Sequence, residues 1–248
     1  QIRKSIIFAK QNIKTILMIN RIINEKIRKS LFKGKAIILM GCRQIGKTTS
    51  LNEIFSVEND VLWLSGDDSD TRDLFENITS DRLKTIFGNK KIIVIDEAQR
   101  IADVGLKLKL ITDNINDLQL VATGSSAFEL ADKTKESLTG RKREFQMYPL
   151  SFKEMVEHHG FITERRLLQH RLVYGYYPEV VTNPGDEKLI LKSLSDSYLY
   201  KDVLALDYIK KSDKLIKLLQ ALAYQIGSQV SYNELSQIVG VDSKTIDK

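Results

Sequence analysis

The sequence has a single cysteine, Cys42, and only three histidines among its 248 residues. One cysteine excludes an intramolecular disulfide framework and suits a reducing, cytoplasmic location. His158, His159 and His170 lack both paired cysteines and an H-E-x-x-H spacing, so they are read as surface or packing residues and not as zinc ligands. No apolar run approaches the roughly 18–20 residues needed to cross a bilayer. The most apolar stretch, Ile13–Ile23, is interrupted by Lys14, Asn20 and Arg21. It also lacks a small-residue cleavage site, which argues against a signal peptide. The chain opens on Gln1, so a processed or trimmed product is expected. Internal repeats and low-complexity tracts are absent as well.

What is present is the composition of an ordinary folded chain, 42% hydrophobic and 28% charged, long enough for one large domain or two smaller ones. The net charge of +6 favours anionic partners such as nucleotides, nucleic acid or an acidic membrane surface. A lysine-rich solvated face produces the same number.

Residues 12–32 place Ile13, Ile16, Leu17, Ile23, Ile27 and Leu31 near helical period, predicting an amphipathic helix. The unbroken apolar run Ala36–Met40 suits a central parallel strand. A helix is expected from Gly46 to about Ser56, then a strand over Val61–Gly66 and an acidic loop over Asp67–Asp73. A helix over Leu74–Phe87 follows, stopped by Gly88. Further strands are expected at Lys91–Glu97, Leu118–Ser126 and Arg143–Ser151, with helices over Val104–Ile115 and Ala127–Leu138. This alternation predicts an α/β fold with a parallel sheet between two helical layers. After Phe152 the strand signal fades, and residues 152–173, 186–208 and 213–227 read as helices. The expected organisation is a core with its N-terminal helix over 1–150, a helical lid or linker over 151–230, and the start of a helix-turn-helix over 231–248.

The stretch "GCRQIGKTTS" (Gly41–Ser50) carries the strongest chemical signal. Gly41, Gly46, Lys47 and Thr48 match G-x-x-x-x-G-K-[ST] in the strand–loop–helix setting that pattern requires. Glycines allow a tight turn in which successive amides face a phosphate, and the following helix adds its own unpaired amides. The loop Gly41, Cys42, Arg43, Gln44, Ile45, Gly46, Lys47, Thr48, Thr49 is therefore the nucleotide-binding candidate. Lys47 supplies charge to the outer phosphates, and the Thr48 hydroxyl is a ligand for Mg²⁺. Cys42 presents backbone to the ligand; a redox-sensitive thiol is the alternative.

About fifty residues on, "IIVIDEAQRI" ends a strand on Asp96 and Glu97. Asp96 is the metal carboxylate and Glu97 the acceptor for a proton from attacking water. In "LVATGSS", Thr123 or Ser125 would sense the terminal phosphate or the water, with a helix cap as the competing role. "LTGRKREF" places Arg141 before the last strand, where it would reach the phosphates of a neighbouring subunit; a plain surface arginine is the alternative.

Together with "TGSSAFEL", "LTGRKREFQMYPLSFKEM" and "YGYYPEVV", these segments resemble a prokaryotic group of predicted AAA+ ATPases with an additional, uncharacterised C-terminal domain. The resemblance covers residues 15–248 and is more specific in the first half. It implies strand order 5-1-4-3-2, with ATP and Mg²⁺ at the C-terminal edge of the sheet. It also implies adenine over guanine, and no N-K-x-D motif is found. Cys42 departs from the small residue or proline usual there. Arg165, Arg166 and Arg171 are candidates for a lid arginine, and the tyrosines of Tyr174–Val181 are expected to pack.

The tail Ser231–Lys248 spaces Leu235, Ile238, Val241 and Ile246 as a helix-turn-helix broken at Gly240, and the resemblance suggests a winged form. Its second helix is incomplete, so weak binding of double-stranded DNA is expected, or a purely structural helical pair. The leading expectation is a Mg²⁺-dependent AAA+ ATPase switch or motor, possible as a homo-oligomer and without a membrane partner. The rivals are a nucleotide-gated DNA-binding regulator with little hydrolysis and a signalling scaffold.

Overall fold

A computed structural model of the chain describes residues 18–76, 78–115, 117–124, 138–196 and 212–247. The chain divides into two compact units, Gln1–Pro184 and Gly185–Lys248. In the first, five strands form one sheet: β1 Ala36–Met40, β2 Val61–Ser65, β3 Ile92–Asp96, β4 Gln119–Gly124 and β5 Lys142–Gln146. Their spatial order is 2-3-4-1-5 and every pairing is parallel, the expected order read from the other edge.

The sheet is built on period-two alternation. Ala36, Ile38 and Met40 of β1 join Ile93, Ile95, Leu120 and Ala122 on one face. Ile37 and Leu39 join Ile92, Val94 and Val121 on the other. Both faces are therefore covered, and the central strands need continuous apolar sequence, as "AIILM" has. The first face packs against helices Ser80–Phe87 and Val104–Asn114 through Leu83, Phe87, Val104, Leu108 and Ile111. The second packs against helices Ile22–Arg28 and Lys47–Ile54 through Ile27, Leu51 and Ile54.

Several local expectations are corrected. The N-terminal helix begins at Ile22, and residues 12–17 lie outside the described residues. Arg21 is extended, with φ −101° and ψ 125°, because from that backbone its guanidinium meets three acceptors described below. The acidic segment is not a loop: Ser69–Phe75 is helical and buries Phe75 in the core. The next helix starts anew at Ser80, capped by Thr79, whose hydroxyl accepts from the Arg82 amide. β5 ends at Gln146, short of Ser151, and Pro149 follows. Residues 152–173 form two helices, Phe152–His159 and Phe161–Tyr174, separated by Gly160 at φ 90°. Residues 127–137 of the expected helix over 127–138, and residues 197–208 of the expected helix over 186–208, fall outside the described residues.

Helices Phe152–His159, Phe161–Tyr174 and Pro178–Thr182 belong to the first unit. Ser151 and Glu154 form a reciprocal capping box at the start of the first of them. Fully buried Glu164 accepts from the Tyr176 hydroxyl at 2.5 Å and meets His159 Nε2 at 2.7 Å. Burial, then that bond to Glu164, pushes the Tyr176 hydroxyl up to about 12. The Leu150 amide donates to the Tyr176 carbonyl at 2.9 Å, tying this segment to the end of the sheet domain.

The second unit contains helices Glu187–Leu194, Ser212–Tyr224, Tyr232–Val239 and Ser243–Asp247. The last two form a helix–turn–helix pair about Gly240, at φ 70°. Lys214 Nζ donates to the carbonyls of Val239 and Gly240 and secures that turn. Among the described residues no helix is long and apolar enough to cross a membrane.

Candidate functional site

Because every strand runs the same way, the C-terminal ends of β1, β3 and β4 meet at one edge of the sheet. Met40 pairs with Gly124, Leu39 with Thr123, and Ser65 with Asp96. The chain leaves β1 through Gly41–Gly46 and re-enters a helix at Lys47. Gly46 takes φ 91°, a left-handed conformation that glycine adopts without penalty. At Gly41 the demand is space: a Cβ there would lie 2.4 Å from Ile45 Cδ1 and 2.5 Å from the Met147 carbonyl oxygen.

Lys47 is buried, and its ammonium donates to the carbonyls of Gly41 at 2.8 Å and Cys42 at 3.0 Å. Burial lowers its pKa, against the opposing pull of Glu97 and Asp96. The Thr48 hydroxyl donates to Asp96 Oδ2 at 2.8 Å. Thr123, fully buried on β4, donates to the other oxygen, Asp96 Oδ1, and accepts from the Glu97 amide at 3.1 Å. Asp96 thus has one oxygen on the loop and one on β4.

Glu97 itself sits in the left-handed region at φ 47° and ψ 43°, which costs a non-glycine residue roughly 1 kcal/mol or more. Its Oε2 accepts from Gln99 Nε2 at 2.6 Å. Its carbonyl faces Gly66, where a Cβ would stand 2.3 Å from that oxygen.

Lys47, Thr48, Asp96, Glu97 and Thr123 therefore converge, although they come from three separate stretches of sequence. Thr49 is exposed at the first turn of the helix. Cys42 is exposed and lies near Tyr177, whose hydroxyl is pushed up to about 12 first by burial and then by the neighbouring Cys42. Ile45 is fully buried and uses its carbonyl to accept from Arg21 Nη1 at 2.8 Å. Gln44 takes φ 60°, and Arg43 is half-buried. Ser125 lies outside the described residues.

Arg141 is not brought to this edge. It precedes β5, its carbonyl accepts from the Ala36 amide, and its side chain pairs with Asp113. It stands at the opposite edge of the sheet, the length of β1 away, about 16 Å. Arg171 is also taken: it is buried, with Nε 3.6 Å from Glu164 and its guanidinium over the Tyr176 ring.

Four participants carried no sequence signal strong enough to single them out. Arg21 is buried and holds the Ile45 carbonyl, the Tyr148 carbonyl at 2.5 Å and Glu154 Oε1 at 3.1 Å. Burial alone would push Glu154 up, but the amides of Ser151 and Ile22 and the Arg21 charge together hold it below the usual carboxylate range. Gly66, Gln99 and Tyr177 complete the set. Beside the loop lies a cavity of about 170 Å³ lined by Met18, Arg21, Ile45, Thr49, Pro178 and Thr182, among others.

A family model described as an AAA domain matches residues 33–156. The chain belongs to the AAA domain family. A domain of unknown function, DUF8612, matches residues 165–248, so the AAA domain is followed by a second element of the kind the resemblance implied. The uncharacterized protein MJ1637 of Methanocaldococcus jannaschii is 27% identical over 248 residues, covering 92% of this chain and 50% of that protein. MJ1544 of the same organism is 23% identical over 236 residues, covering 88% and 53%. The chain spans about half the length of these relatives. Among solved structures, the Walker-type ATPase PABY2304 of Pyrococcus abyssi aligns with a TM-score of 0.53 at 14% identity, covering 93% of this chain and 89% of that one. At that identity the likeness is one of fold, and the fold of the AAA domain is that of a P-loop ATPase.

Proposed function

We propose that this AAA domain binds ATP with Mg²⁺ and hydrolyses it. The observation that carries the reading is Asp96, held by Thr48 of the loop on one oxygen and by Thr123 of β4 on the other, with Lys47 and Glu97 beside it.

The phosphates would lie on Gly41–Thr48. Lys47 now donates to two loop carbonyls, and phosphate oxygens are stronger acceptors that would draw its ammonium outward. Among the described residues no group of three or more His, Cys, Asp or Glu side chains could enclose a metal ion. Mg²⁺ takes one or two protein ligands and completes its shell with phosphate and water. Thr48 and Asp96 are the two that would hold it, and when bound the ion neutralises charge on the phosphates. Glu97 accepts a proton from the attacking water as the new P–O bond forms and the bond to the ADP leaving oxygen breaks. Thr123 positions both acids at once, since it bonds the Asp96 carboxylate and the Glu97 amide. The base would lie in the adjacent cavity, where Ile45 and Pro178 are among the lining residues.

Arg141, 16 Å or so from its own loop, serves only a neighbouring copy, so a finger role requires assembly. Phosphate release tests the reading. Wild type is expected to turn over ATP, and Glu97→Gln to bind it while losing most of the rate, typically 10²–10⁴-fold for a general base. Equal rates would remove Glu97 from the chemistry. A nucleotide-gated DNA-binding role is supported by the helix–turn–helix pair at Tyr232–Asp247 and by the net charge of +6. Salt titration of duplex binding separates it: absence of binding at low salt removes it.

A further inference from the structure

We propose that Gln99 is a positioning residue for Glu97, fixing its carboxylate so that one oxygen faces the attacking water; this rests on the reading of Glu97 as the proton acceptor.

Glu97 is restrained at every group except one. Its amide donates to Thr123, and its carbonyl accepts from the Arg100 amide at 3.0 Å with Gly66 pressed against it. Its Oε2 accepts from Gln99 at 2.6 Å, while Oε1 accepts no hydrogen bond from the described residues. The terminal torsion of a glutamate is broad and two-fold, so backbone restraint alone leaves the carboxylate plane unset. The Gln99 bond sets it.

Gln99 can do this because of the local backbone. It lies within a single 3₁₀ turn, Ala98–Arg100, and Glu97 precedes that turn in the left-handed region. The reversal folds a side chain two residues ahead back onto the acid. Gln99 is 4% exposed, so burial fixes its amide in turn. A neutral donor orients the acid without bringing a competing proton or an opposing charge. A lysine or arginine in its place would pair with Glu97 and occupy the carboxylate. Strain at Glu97 and a buried polar side chain aimed at it are together hard to account for by packing alone.

The test uses the full chain and four proteins: wild type, Gln99→Met, Glu97→Gln and the double variant. Methionine keeps the bulk and removes the donor. Single-turnover rates and the affinity for a fluorescent ATP analogue are measured for each. Gln99→Met is expected to lower the rate on the order of tenfold to a hundredfold, the cost of a misplaced catalytic group, with nucleotide affinity unchanged. In the Glu97→Gln background it should cost nothing further, since a residue acting through Glu97 has nothing left to position. Gln99→Asn, its amide one methylene or ~1.5 Å short, should show the same non-additivity if Gln99→Met folds poorly. Wild-type rates for the Gln99 variants, the same fold-loss in both backgrounds, or affinity falling along with rate would each overturn the inference. A wild-type rate for Glu97→Gln would instead overturn the reading beneath it.

Discussion

The hydroxyl of Thr48 donates to Asp96 Oδ2 at 2.8 Å, joining the phosphate loop to the end of β3 across 48 residues of sequence. In the proposed function this bond is exchanged for a shared ion. Thr48→Val keeps the shape and removes the hydroxyl. It is expected to bind ATP in EDTA as wild type does, but to lose about tenfold or more of the affinity that Mg²⁺ adds. Calorimetric titration with and without Mg²⁺ measures this directly.

Gly66 stands against the Glu97 carbonyl, and any Cβ there would come within 2.3 Å of it. The obstacle is backbone, so the neighbour can yield only by moving the acid. Gly66→Ala is therefore expected to reduce turnover while leaving ATP affinity intact, and to cost about 1–3 kcal/mol of stability as overpacking does. A urea melt and a turnover assay on the same sample separate the two effects.

Arg21 and Glu154 form a buried pair, with side-chain exposures of 8% and 6%. Removing one partner strands the other, so Arg21→Ala should destabilise by about 3–5 kcal/mol and loosen the loop through Ile45. Glu154 titrates below its ordinary range in the folded chain. Its contribution is thus complete above the ordinary carboxylate pKa and disappears as pH falls through the lower folded value. Urea midpoints measured from neutral to acid pH should show this loss in wild type, and Glu154→Gln should flatten it.

How much of this was legible in sequence follows from where the information lies. Unbroken apolar runs such as "AIILM" and "IIVI" specify a strand buried on both faces locally, so the parallel sheet was readable from the residues, whereas its strand order came from the family resemblance. Lys47 and Thr48 open the helix after β1, and Asp96, Glu97 and Thr123 sit at strand ends; all five lie inside spaced motifs, and they do converge. Arg21 could not be found that way: its partners, Ile45, Tyr148 and Glu154, lie 24 to 133 residues distant. The acidic run 67–73 looked like a loop because its charges are local, whereas burial of Phe75 is a tertiary effect that helix formation serves. Tyr177 looked like packing and is half that, touching both the core and Cys42.

The central claim is tested most directly by titrating Mg²⁺–ATP into the wild-type chain and into Lys47→Ala. Lys47 is expected to be the ammonium that leaves the Gly41 and Cys42 carbonyls for phosphate, so wild type should bind saturably at one site. Lys47→Ala should lose that binding by an order of magnitude or more, a charge-assisted contact being worth about 1.5–3 kcal/mol. No saturable binding by wild type, or equal affinity in the two proteins, would contradict it.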